Sequence, residues 1–473
     1  MIPNMNPPIS RRQALCLGGG TALSRSLHAA SDRPNIIFIL ADDLGWGDLG
    51  CYGHPFLKTP YLDTMARDGV RFTQFYVASP ICSASRAGFM TGNFPARHGI
   101  HGGIATPEIN RQNGIPDFLD RKVTTMAKLA RQAGYATGHF GKWHLGRGPQ
   151  APTPSAYGFD EYRTLLGNGP TWQSKDPYFW ARTTELIVDE GIRFIEKKRD
   201  RNFYLNLWTL IPHATLNPTP QELDVYKGFG PPGVPYKGAH QIYFGAVTGL
   251  DAQIGRLFAK IEELGLARKT AVFFSSDNGP EDIEVYSANH SGVGSTGPFR
   301  GRKRSLYEGG VRLPLLVRWP GKAPAGRVDE TTTISAVDFL PTMANMAGAK
   351  LPENFRTDGE DMGDAIAGHP AKRKNPLMWE WRFDIYGHPV NRSPMLAIRD
   401  GDWKLLMNPD GSRVELYDIP RDPTELNNLA ERKPQIVKQL MSPLLAWSRS
   451  LPPGPIRPSA GRNDYPGPTL AKP

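Results

Sequence analysis

Asn35-Ile36-Ile37-Phe38-Ile39-Leu40-Ala41-Asp42-Asp43-Leu44-Gly45 is the stretch on which the fold turns. An unbroken apolar run rich in β-branched residues, cut off by Asp-Asp and Gly, predicts a strand buried on both faces. That is the pattern of a parallel sheet covered by helices, whereas a strand with one wet face would alternate.

The same plan recurs three times. Tyr135 to Phe140 leads into Gly141, Lys142, Trp143 and His144; Phe203 to Leu210 leads into Ile211, Pro212 and His213; Ala271 to Ser276 leads into Asp277, Asn278 and Gly279. In open α/β sheets ligands bind beyond the carboxyl ends of the strands, so four ends carrying Asp, Asn, Lys and His predict one shared site. Between the strands, Tyr243, Val247, Leu250, Ile254, Leu257, Ile261 and Leu264 follow helical spacing and stop at Gly265, which predicts a core helix. After about Pro370 the texture changes to short apolar segments separated by Asp400-Gly401 and Asp410-Gly411. Asp-Gly between short runs predicts hairpins, hence a small antiparallel sheet, followed by a helix over Pro434 to Ser448. From Leu451 onward Pro and Gly dominate, and a loose tail is expected.

The 473 residues are enough for one large domain with a smaller companion, or for two ordinary ones. The formal charge is +10, yet there is no block of five or more consecutive basic residues and no zinc-finger, basic-zipper or RNA-recognition pattern, which argues against nucleic acid as a partner. The diffuse excess reads as solvated surface that would also steer anionic small molecules or polyanionic glycans. No apolar run reaches the roughly 18 residues of a membrane span, so none is expected in the mature chain. Ser10-Arg11-Arg12, the apolar stretch Ala14 to Leu27 and His28-Ala29-Ala30 before Ser31 resemble a twin-arginine export signal. Of Cys16, Cys51 and Cys82, the last two would remain after cleavage; a disulfide between them fits parity and nothing more.

Asp42, Asp43, Asp277 and Asn278 offer carboxylate and amide oxygens, the donors of a hard divalent cation, calcium ahead of magnesium. Either pair alone is ordinary turn chemistry; at predicted strand ends the two together read as a metal site. Lys142 and His144, two apart on an extended chain, project to the same side and could reach one anion, although this triplet alone reads as exposed surface.

Pro80-Ile81-Cys82-Ser83-Ala84-Ser85-Arg86-Ala87-Gly88-Phe89-Met90-Thr91-Gly92 resembles the signature of the type I, formylglycine-dependent sulfatases, arylsulfatase-like members of the alkaline-phosphatase superfamily. The family core is Cys-x-Pro-Ser-Arg or Cys-x-Ala-Ser-Arg; here Ala84 holds the third position, which leaves the maturation system open. Gly134 to His144 is similar to a second signature, Arg300 to Gly310 with Val311 to Gly321 to further ones, and Pro212-His213 to the family's catalytic Pro-His. The resemblance runs from about Pro34 to Ala430, including Leu416-Tyr417-Asp418 and Glu425 to Ala430.

The resemblance implies an α/β fold with a large mixed, mostly parallel sheet flanked by helices, and a smaller C-terminal antiparallel sheet plus helix. On this basis residues 1–30 are an export signal, 31–370 the catalytic domain, 371–450 a small α+β subdomain and 451–473 a Pro/Gly-rich tail. It also implies hydrolysis of a sulfate monoester, aryl or carbohydrate, by the hydrate of 3-oxoalanine (formylglycine) made from Cys82. In that scheme Asp42, Asp43, Asp277, Asn278 and the residue at Cys82 hold one calcium ion, with magnesium as the alternative. Arg86 and Lys142 position the nucleophile, and Lys142, His213 and Lys303 bind the sulfate. His213 serves as the acid for the leaving alcohol, and His144 as the base that releases sulfate. A formylglycine-generating system and a sulfated small molecule or glycan are the implied partners, and the periplasm, by the twin-arginine route, the implied location. The alternatives are a phosphate or phosphonate monoester hydrolase of the same superfamily, or a non-catalytic binder of sulfated glycans.

Overall fold

The structure, a computed structural model, describes residues 33–230 and 237–464. The expected export signal and Cys16 lie outside the described residues.

The first strand, β1 (Asn35–Asp42), is buried along its whole length. Its side chains alternate between two cores: Ile36, Phe38 and Leu40 enter one, and Ile37, Ile39 and Ala41 the other. A strand sandwiched in this way has no wet face, which is why its sequence is continuously apolar. Around it run β2 (Val70–Tyr76), β3 (Ala136–Lys142), β4 (Glu161–Leu165), β5 (Phe203–Pro212), β6 (Thr270–Ser276), β7 (Arg312–Arg318), β8 (Arg327–Asp329) and β9 (Ile334–Ser335). The order is β4-β3-β5-β1-β6-β7-β2-β8, with β9 beside β2. β7 runs antiparallel to both neighbours and the other pairings are parallel, giving the mixed, mostly parallel sheet expected.

On one face the helices Pro60–Arg67, Thr183–Lys198 and Lys237–Glu263 bury Leu62, Ile187, Val247 and Leu250 against the sheet. The longest is the helix read from the 243–264 stripe, and Gly265 ends its register at φ +67°. On the other face lie Cys82–Thr91, Met126–Gln132 and Phe339–Met346.

The second sheet is antiparallel: β10 (Leu377–Glu380), β11 (Leu396–Asp400), β12 (Trp403–Met407) and β13 (Glu415–Asp418), in that order. Asp400 pairs with Trp403 across the tight turn that Asp400-Gly401 signalled. Helix Pro434–Ser450 packs on this sheet, and Leu405, Leu416, Leu444 and Trp447 join the same core as Phe38 and Phe339. The two sheets thus share one continuous apolar interior. Cys51 and Cys82 are both free thiols, so the disulfide that parity allowed is absent. The tail expected to be loose is held as far as it is described. Leu451 and Ala460 are buried, the Arg457 amide donates to the Arg382 carbonyl, and the Gly461 carbonyl accepts from Asn408 and Arg413. Polar main-chain contacts do here what the sparse apolar side chains cannot. Among the described residues no helix is long and apolar enough to cross a membrane.

Candidate active site

β1 and β6 are parallel neighbours, with Ala41 opposite Ser276, so the residues that follow them emerge side by side. The Asp277 amide donates to the Ala41 carbonyl at 3.2 Å, and the Asp43 amide to Asp277 Oδ1 at 3.2 Å. Asp43 takes a left-handed turn at φ +66°, a conformation that Asp tolerates better than most residues. Two acidic pairs far apart in sequence thereby become one cluster. Asn278 Nδ2 donates to Asp43 Oδ1 at 2.6 Å and closes it.

Cys82 begins helix Cys82–Thr91 and is buried, with Sγ 3.9 Å from Asp43 Oδ1. Potential ligand atoms of Asp42, Asp43, Cys82 and Asp277 all lie within 4.8 Å of one another. One helical turn on, Arg86 Nε and Nη2 donate to Asp277 Oδ2 at 2.9 and 2.7 Å, and Nη1 donates to the Lys142 carbonyl at 3.0 Å. The guanidinium also lies 5.2 Å from the centre of the Trp208 ring.

Lys142, the last residue of β3, places Nζ 2.6 Å from Asp42 Oδ2. Lys303 Nζ donates to both oxygens of Asp43, at 2.8 and 2.6 Å. Its loop comes this close because glycines meet glycines. Gly279 donates its amide to the Gly310 carbonyl, and a Cβ on Gly279 would stand 2.2 Å from the Gly309 carbonyl oxygen. Three carboxylates are thus faced by three cations in a buried space.

His144 follows Lys142 by two residues. Its Nε2 faces the Ile104 carbonyl at 3.1 Å, while Nδ1 is buried without a partner. With Nε2 protonated to meet that carbonyl, Nδ1 keeps its lone pair. Burial, then Lys142 and Arg86, hold the imidazole well below its ordinary pKa, so it is neutral. Ile104 also donates its amide to Ser83 Oγ at 3.0 Å, tying the loop that orients His144 to the helix that starts at Cys82. Sequence reasoning missed this residue, because it acts through its backbone and leaves no side-chain signal.

His213, at the end of β5, has Nδ1 2.7 Å from the Ala214 carbonyl and Nε2 3.8 Å from Asp43 Oδ2. Its side chain is 40 % exposed, and it stands between the cluster and solvent. Burial lowers its pKa; Asp43 opposes that and Lys303 adds to it. All ten residues singled out from the sequence therefore lie on one patch at the carboxyl ends of β1, β3, β5 and β6 or on the segments pressed against it. Sequence reasoning also missed Glu281, whose Oε1 binds Arg304 at 2.6 Å and whose Oε2 lies 3.9 Å from Lys303 Nζ. No motif spacing announces it.

The electrostatics are those of a charged site kept dry. Burial opposes the charge on Asp42, yet Lys142, His213, Arg86 and Lys303 outweigh it and hold the carboxyl below its usual range. Burial and the neighbouring Asp42 charge push Asp277 the other way. Burial pushes the Cys82 thiol far up, beyond what Lys142 and Lys303 recover, so an unmodified thiol here is a poor nucleophile at neutral pH. Oδ1 of Asp42 and Oδ1 of Asn278 are buried without hydrogen-bond partners, which fits a cation taking oxygen ligands at this spot.

A family model described as Sulfatase matches residues 34–349, and one described as N-sulphoglucosamine sulphohydrolase, C-terminal, matches 297–449. Arylsulfatase A of Bos taurus is 33 % identical over 479 residues, covering 89 % of this chain and 88 % of that protein. N-acetylgalactosamine-6-sulfatase of Canis lupus familiaris is 35 % identical over 371 residues, covering 72 % of this chain and 67 % of that one. Among solved structures, Ps i-CgsB in complex with k-i-k-neocarrahexaose superposes with a TM-score of 0.75 at 28 % identity, covering 89 % of this chain and 94 % of that one.

Proposed function

The chain belongs to the sulfatase family and is a sulfuric ester hydrolase, and on that premise we propose that it works through formylglycine made from Cys82, with one calcium ion held by Asp42, Asp43, Asp277 and Asn278 beside it. The observation that carries this reading is the place of Cys82. It sits at the start of a helix, inside a ring of three carboxylates and three cations, with a thiol too hard to ionise to act as it stands. When present, the aldehyde supplies a hydrated oxygen nucleophile and the cation draws charge from the sulfate oxygens.

The remaining work falls to side chains. Lys142 and Lys303 bring two buried positive charges to an anion seated between them. Arg86 fixes the helix that carries residue 82 against Asp277. His213 presents Nε2 between the cluster and solvent, where the alcohol leaves, and in the imidazolium form that Asp43 favours it is the proton donor to it. His144, neutral and with a free lone pair on Nδ1, takes the proton that frees the product sulfate. A sulfated glycan is the substrate class favoured by relatives named for N-acetylgalactosamine 6-sulfate and by the neighbour solved with neocarrahexaose.

Residues 31–370 form the catalytic part in this reading and 371–450 its small companion. The paired Arg11-Arg12 of the leader supports export to the periplasm. Turnover of an aryl sulfate against the matching aryl phosphate, before and after chelation, tests the proposal. Sulfate hydrolysis should dominate, vanish on chelation and return with calcium. Faster phosphate hydrolysis, or full activity after chelation, would rule it out.

A further inference from the structure

Two adjacent acids just beyond Asp277 organise the mouth of the site. Glu281 binds Arg304 and approaches Lys303. Asp282 Oδ2 accepts from the His388 amide at 3.0 Å and from Asn391 Nδ2 at 2.7 Å, which pins the loop joining β10 to β11. One segment therefore positions both the Lys303-Arg304 pair and a loop of the small sheet.

That loop is linked through intermediate residues to the segment just before Cys82. The Arg304 amide donates to the Pro80 carbonyl at 2.9 Å, two residues before Cys82, and the Arg304 guanidinium lies 5.2 Å from the centre of the Tyr386 ring. At the other end, Phe383 fills the space where a Cβ on Gly102 would stand, and a Cβ on the next residue, Gly103, would come 3.8 Å from Ile81. Asp43, Lys303, Glu281, Arg304 and Tyr386 thus form an unbroken series from the buried anion site to the surface. Tyr386 is 48 % exposed, and Ile283 and Tyr286, on the segment carrying Asp282, are exposed too. Exposed large apolar side chains on two segments that Asp282 ties together suit a ligand.

We propose that Tyr386, steadied by Arg304, is the platform on which a sugar ring of a sulfated oligosaccharide stacks while its sulfate occupies the pocket at Cys82. This rests on the sulfatase reading. A pyranose has apolar C–H faces and polar edges, which suits an aromatic ring with a guanidinium against it. The further apolar surface of Ile283 and Tyr286 suits a chain better than a single ring, and the net charge of +10 favours a polyanion. Tyr386 is in this account a specificity residue and takes no part in the chemistry.

The test measures kcat and KM of the mature enzyme, Tyr386→Ala and Tyr386→Phe on para-nitrophenyl sulfate and on chondroitin-sulfate, heparin and carrageenan oligosaccharides, using whichever oligosaccharide the parent cleaves fastest. Tyr386→Ala should raise KM for that oligosaccharide about ten-fold with kcat little changed, lower its kcat/KM relative to para-nitrophenyl sulfate by the same factor, and leave the unfolding temperature in place. Tyr386→Phe should restore KM. An unchanged ratio in Tyr386→Ala overturns the proposal, as does a parent that cleaves para-nitrophenyl sulfate and none of the oligosaccharides. A parent inactive on every sulfate ester overturns the sulfatase reading instead.

Discussion

Arg86 and Asp277 meet through two guanidinium nitrogens on one carboxylate oxygen, Nε at 2.9 Å and Nη2 at 2.7 Å from Oδ2, with neither side chain exposed. A lysine carries the same charge without the planar fork. Arg86→Lys should therefore lower turnover about 100-fold, the order of loss expected when a reacting group is misplaced by about 1 Å. Steady-state kinetics on an aryl sulfate checks this, and turnover within a few-fold of the parent would show that the fork is not needed.

Lys404, fully buried on β12, places Nζ 2.9 Å from Glu308 Oε1 and 2.9 Å from Glu425 Oε1. Glu308 also binds Arg312 and Tyr76 of the main sheet, so this lysine joins the two sheets through charge as well as through the shared core. Lys404→Met would leave two buried carboxylates facing each other. Burial, with Glu308 beside it, already pushes the Glu425 carboxyl above its usual range even with the lysine present. A loss of about 3–5 kcal/mol is expected. Urea unfolding measures it, and a loss below about 1 kcal/mol would mean that the carboxylates take up protons at little cost.

His139 lies buried among the rings of Trp143, Phe159 and Trp208, with both nitrogens unpartnered. Burial, and then Arg86, pushes its pKa down to about 3. In the unfolded chain the same group protonates near 6.5. The folded state thus refuses a proton that the unfolded state accepts. This contribution to stability is whole above about pH 6.5 and drains away by about 1.4 kcal/mol for each pH unit between there and about 3. His139→Phe should flatten that acid slope. Equal slopes for parent and variant, from urea midpoints between pH 7.5 and 5, would contradict the assignment.

Much of this was legible because the chemistry sits where strands end. Ile36 to Leu40 could be placed on a doubly buried strand since only such a strand has no wet face, and Asp400-Gly401 announced its turn by composition. The gathering of Asp42, Asp43, Asp277 and Asn278 in one cluster followed from strand-end logic, although only pairing of β1 with β6 makes them neighbours. What stayed hidden acts through tertiary contact. Glu281 matters because Lys303 and Arg304 arrive beside it, Ile104 because its main chain bridges Ser83 and His144, and Lys404 because two acids from distant segments close around it. Residues 451–464, the described part of that tail, misled for a related reason. Poor apolar content predicts looseness, but hydrogen bonds to Arg382, Asn408 and Arg413 fasten it.

In the proposed reaction residue 82 acts as an aldehyde, and mass spectrometry of the peptide containing it, from protein matured in its native host, reads its chemical state. The expected result is the mass of formylglycine in place of cysteine, in a preparation that hydrolyses aryl sulfate. An intact thiol in a preparation with full sulfatase activity would contradict it.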